Sequence, residues 1–85
     1  MLKELDLQIG DEISLLELDE RVEKLIDDEE IETMLTAYSC KEILEWGVYV
    51  FYTEEYTDVN YRIYFEIIKN TGDEDSIIKI TGSNY

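Results

Sequence analysis

The stretch Asn60-Tyr61-Arg62-Ile63-Tyr64-Phe65-Glu66-Ile67-Ile68 decides the fold, because its β-branched and aromatic residues alternate with outward-facing positions. With Tyr61, Ile63, Phe65 and Ile67 turned to a core and Arg62, Tyr64 and Glu66 turned to water, it reads as a strand of an antiparallel sheet with one wet face. The same composition continues on both sides. Further strands are expected at Val48 to Thr53 and Ser76 to Thr81. The connections Glu54-Glu55-Tyr56-Thr57-Asp58-Val59 and Asn70-Thr71-Gly72-Asp73-Glu74-Asp75 are polar and carry turn residues, so a meander is the simplest arrangement.

Upstream, the pattern changes to helical spacing. Ser14 followed three residues later by Glu17 is a capping box, and Leu15, Leu18, Val22, Leu25 and Ile26 form an apolar stripe with Asp19, Glu20, Glu23 and Lys24 off it. Asp27 or Asp28 caps a second expected helix on which Ile31, Met34, Leu35 and Tyr38 recur at helical intervals. A third, short helix is marked by Ser39 with Glu42, by Ile43 and Trp46 one turn apart, and by Gly47 at its end. Leu5, Leu7 and Ile9 alternate with Asp6 and Gln8 before the turn Gly10-Asp11, which predicts a short first strand. The whole reads as one α+β domain over residues 1–85, with two or three helices on one face of a three- or four-stranded antiparallel sheet and a C-terminal β-meander. Eighty-five residues, 45% of them hydrophobic, suffice for one core and are too few for two.

Several classes of chemistry are excluded or disfavoured. The chain has no histidine, which removes the common nucleophilic triads and imidazole acid–base catalysis. Its many carboxylates imitate a glycosidase pair anywhere, so without a cleft they point to no enzyme, and no catalytic residue, cofactor or metal is expected. The single Cys40 has no internal disulfide partner and no histidine with which to share zinc, so it is expected to be a small buried apolar residue. The run Asp27-Asp28-Glu29-Glu30 and the loop Asp73-Glu74-Asp75 offer oxygen ligands but lack the EF-hand order of ligands and glycine; a helix N-terminus and a solvated loop account for them. Seven scattered basic residues argue against direct nucleic-acid binding. No apolar run is long enough to span a membrane, and Met1-Leu2-Lys3-Glu4-Leu5-Asp6 lacks signal-peptide order, so a cytoplasmic location is expected.

Charge is the strongest remaining signal. Twenty-two acidic residues against seven basic ones give −15, and the plentiful aliphatic and aromatic residues argue that this charge sits on a folded chain. Eleven of the acids lie between Asp11 and Glu32, opposed only by Arg21 and Lys24. Carboxylates one helical turn apart are about 6 Å apart along the axis and alternate strand residues about 6.8 Å, close to two base-pair steps of DNA. The candidate partner-binding residues are therefore Asp11, Glu12, Glu17, Glu20, Glu23, Asp27, Asp28, Glu29 and Glu30. Glu54, Glu55, Tyr56, Asp58 and Tyr64 form a second patch, with Tyr49 and Tyr52 adding aromatic surface nearby.

In size and charge the chain resembles the small acidic DNA-mimic inhibitors of phages and other mobile elements, which include many anti-CRISPR proteins. The segment from Ser14 to Ile26 and the tripeptide Thr36-Ala37-Tyr38 are also similar to the family of phage uracil-DNA glycosylase inhibitors. That resemblance implies an edge strand carrying a Glu-Ser-Ile element at the enzyme's DNA groove; the nearest positions here read Glu12-Ile13-Ser14-Leu15. The expected function is inhibition of a basic nucleic-acid enzyme, whether a CRISPR effector, a DNA glycosylase or a nuclease. An immunity protein or antitoxin against a nuclease toxin, and a small accessory domain that dimerises, are the alternatives. The chain is expected to be a monomer or a homodimer.

Overall fold

A computed structural model describes residues 2–26, 39–51 and 61–85. Four strands, Glu12–Ser14 (β1), Val48–Phe51 (β2), Tyr61–Lys69 (β3) and Ile77–Ser83 (β4), form a single sheet in the order β1-β4-β3-β2. Every neighbouring pair is antiparallel, and β2-β3-β4 is the expected meander. Among the described residues, two α-helices, Leu15–Ile26 (α1) and Cys40–Trp46 (α2), and a 3-10 turn at Leu2–Leu5 join the sheet in an α+β architecture. The expected helix of residues 28–38 lies outside the described residues.

Helix α1 begins where β1 ends. Ser14 is the last residue of β1, and its hydroxyl accepts the Glu17 N–H at 3.1 Å, so one residue closes a strand and caps a helix. The N–H groups of Leu15 and Leu16 donate to the carbonyls of Ser76 (3.0 Å) and Glu74 (2.9 Å) in the β3–β4 connection. Three of the four donors that a helix start leaves unmet are thereby satisfied. Helix α2 follows its sequence signals closely. The Ser39 hydroxyl accepts the Glu42 N–H, and Gly47 adopts the left-handed conformation (φ 67°) that ends the helix. The Gly47 carbonyl then accepts the Phe65 N–H at 3.1 Å, so the helix terminus is hooked directly onto β3.

The core is one cluster. Leu15, Leu18 and Val22 of α1 and Ile43 and Leu44 of α2 meet Tyr49, Phe51, Ile63, Phe65, Ile78 and Ile80 from one face of the sheet, with Leu5 and Leu7 closing one side. Both helices cover this inner face. The alternate positions, among them Arg62, Tyr64, Glu66 and Lys79, lie on the outer face. Phe51, Tyr61 and Tyr85 cluster at the rim in tilted and edge-to-face contacts, with ring centroids 4.9 to 5.5 Å apart, and the Tyr85 hydroxyl donates to the Glu4 carboxylate.

Four expectations need correction. The first strand is not at Leu5 to Ile9: Leu2–Leu5 is a 3-10 turn, Asp6 is left-handed (φ 56°), and the strand lies at Glu12–Ser14. The cause is long-range, because the Arg21 guanidinium donates to the carbonyls of Leu5 (3.3 Å) and Asp6 (2.8 Å), occupying groups a strand would have needed. Ile67 is 38% exposed and not a core residue. Ile67 pairs with Ile78 and Lys69 with Ile77, so Ile68 is an extra residue, and the ladder is interrupted directly beside Ile67. Asp19 lies at the margin of the apolar stripe and is buried, and Tyr49, expected to add aromatic surface, is fully buried. The two explain each other: the Tyr49 hydroxyl donates to Asp19 Oδ1 at 2.6 Å.

Candidate partner-binding surface

Helix α1 presents Glu17, Glu20 and Glu23 to solvent because its opposite side is committed to the core. Glu17 accepts a hydrogen bond and ion pair from Arg21 one turn on, at 2.8 Å, which neutralises part of the row. Glu20 and Glu23 are exposed, with Lys24 beside them on the same arc. Successive carboxylates here sit about 4.5 Å apart along the helix axis.

Asp11 and Glu12 have other settings. The Asp11 carboxylate accepts the Gln8 N–H at 3.0 Å, and its backbone carbonyl accepts the Ile80 N–H, so this residue shapes the turn that delivers the chain into β1. Glu12 is exposed on the outer sheet face, paired across the ladder with Lys79, which pairs on its other side with Glu66. Tyr64 occupies the middle of that face and is 44% exposed. The expected surface is thus split. Glu17, Glu20 and Glu23 face away from the sheet on the helix layer, whereas Glu12 and Tyr64 face away from the helices on the sheet. Asp27, Asp28, Glu29, Glu30, Glu54, Glu55, Tyr56 and Asp58 lie outside the described residues.

Residues that the charge argument passed over define the outer face. Arg62, Lys69 and Lys79 are set against Glu12 and Glu66, three cations against two carboxylates, so among the described residues this face is +1 in a chain of −15. Val48, Tyr64 and Gly82 form the row across its middle, with Val50 and Arg62 in the row beside it. The two-residue period of β3 already carried this information.

The hairpin loop has a structural task. Thr71 binds the Asp75 carboxylate through its hydroxyl, the Asn70 side chain accepts the Gly72 N–H, and the Asp73 carboxylate accepts the Glu74 N–H. Its Glu74 and Ser76 carbonyls face the start of α1, where a helix dipole favours negative charge. Cys40, at the start of α2, is half-buried against the core. Burial, and then the carboxylates of Asp73 and Glu74, push its thiol above the ordinary value, which holds it protonated and poorly nucleophilic. Among the described residues no group of three or more Cys, Asp or Glu side chains is arranged to hold a metal ion. No helix among them is long and apolar enough to cross a membrane. No family model, curated protein or solved structure matches the chain.

Proposed function

We propose that this chain is an inhibitor protein that binds a basic nucleic-acid enzyme of a defence or repair system and occupies the site where that enzyme holds nucleic acid. The observation that supports this reading most is the carboxylate row Glu17, Glu20 and Glu23, held in helical register on a chain of charge −15 and followed in sequence by Asp27-Asp28-Glu29-Glu30. A basic channel attracts such a body at long range, and carboxylates about 4.5 Å apart along a helix axis compete with phosphates for the same Lys and Arg side chains. A CRISPR effector is the first target class to test and a uracil-DNA glycosylase the second.

The test is a binding assay against one member of each class with labelled DNA or guide RNA as competitor. A stoichiometric complex that excludes the nucleic acid and weakens steeply between 50 and 500 mM salt is the expected result, those two concentrations being chosen to span Debye lengths from roughly 14 Å to roughly 4 Å. Replacing Glu20 and Glu23 with lysine should slow association by about tenfold or more. A complex that leaves the nucleic acid bound would overturn the mimic mechanism.

A further inference from the structure

Along the outer face of β3 the side chains run Arg62, Tyr64, Glu66: a cation, an aromatic ring and an anion at equal intervals of about 6.8 Å. This order is its own complement when reversed. A two-fold axis lying between two such sheets, parallel to them, perpendicular to β3 and passing over Tyr64, lays a second β3 antiparallel to the first, ring against ring, with Arg62 of each copy facing Glu66 of the other. Face-to-face sheets stack about 10 Å apart with strands within about 30° of alignment, a separation that long side chains span from both sides. Gly82, beside Tyr64 on β4, carries no side chain, and a Cβ built there would stand 3.9 Å from the Tyr64 ring, so the ring lies beside bare backbone with no side chain crowding it from β4 at this position. Val48 on the other flank supplies an apolar neighbour.

We infer that the outer sheet face is a homodimer interface, closed by a two-fold axis at Tyr64 with reciprocal Arg62–Glu66 pairs. The inference stands independently of the inhibitor reading, which uses the opposite side of the molecule. Charge singles out a second copy as the occupant. This face is near neutral, +1 among the described residues, so two copies meet here with far less repulsion than on the carboxylate-bearing helix layer, and Arg62 and Glu66 pair reciprocally under the symmetry. Four strands of about five residues give a footprint on the order of 300 to 400 Å² per copy, well under the roughly 800 Å² of a standard stable interface. The dimer is accordingly weak, and protein concentration is the variable that reveals it.

The test is sedimentation equilibrium of the full chain from micromolar to millimolar concentration, at low and high salt. The wild type should dimerise, more strongly at high salt, because screening removes the long-range repulsion of two −15 bodies before it removes contact pairs. Arg62→Glu and Glu66→Arg should each weaken the dimer by about tenfold or more, since like charges then face each other. Mixing these two variants should restore association as a heterodimer, and the double exchange R62E/E66R should restore the homodimer. Those recoveries also show that each variant is folded. A wild type that stays monomeric at millimolar concentration, or a dimer indifferent to either charge change, would overturn the proposal; indifference would point to pairing at a sheet edge instead. Salt-weakened binding to a basic enzyme is a separate readout, so either reading can fail alone.

Discussion

The two faces of β3 are written in one stretch of nine residues and have opposite fates. Ile63 and Phe65 are sealed beneath two helices, while Arg62, Tyr64 and Glu66, one residue removed, face water. The inner face holds the buried core. The difference teaches that the chain's acidity is not spread evenly: the helix layer shows carboxylates, whereas the outer sheet face gathers three of the seven basic residues. A net charge of −15 describes the molecule and describes neither face.

Adjacent substitutions measure that contrast most directly. Ile63→Ala should cost about 2–5 kcal/mol, the usual price of a fully buried truncation, whereas Tyr64→Ala should cost less than about 1 kcal/mol, the span of strand propensity. Urea unfolding of both variants checks this, and equal losses would mean that the outer face is packed. A smaller effect tests the polar pair inside the inner face. Tyr49→Phe removes the hydroxyl that Asp19 accepts from, leaving a buried carboxylate short of a donor at a cost of about 1–3 kcal/mol. Combining it with Asp19→Ala should give far less than the sum of the two single losses if the pair acts as a unit.

The smallest effect lies at the rim. Burial first, and then the hydrogen bond to Glu4 and its charge, raise the Tyr85 phenol above its ordinary value near pH 10. An acid whose folded value is raised stabilises the fold fully below its unfolded value and loses that contribution as pH climbs through the folded one. Stability should therefore fall as pH rises above about 10, and Tyr85→Phe should flatten part of that fall in denaturant titrations.

Local signals carried most of this fold. Ser14 with Glu17, Ser39 with Glu42, and Gly47 announce helix ends through contacts within four residues, and the structure places α1 and α2 accordingly. The alternation in β3 is equally local. What sequence reading misplaced depends on distant partners. The alternation Leu5, Leu7, Ile9 reads as a strand until Arg21, fifteen residues from Asp6, takes the carbonyls. Asp19 reads as solvated until Tyr49, thirty residues on, places a hydroxyl against it. β1 has three residues, too few for a period, and exists because β4 offers it an edge. For the candidate site, residue types were legible but their division between two opposite sides was not, since that follows from which face the helices cover.

The cap on α1 also sets a schedule for biosynthesis. Leu15 and Leu16 find acceptors in Ser76 and Glu74, so α1 is completed by a segment translated about sixty residues after it. An isolated twelve-residue helix is marginal in water, and a nascent chain ending before the β3–β4 hairpin lacks both the acceptors and the sheet surface that α1 needs. The emerging acidic segment should thus remain unfolded on the ribosome until the C-terminal strands clear the exit tunnel, and the domain should then fold in a single late event.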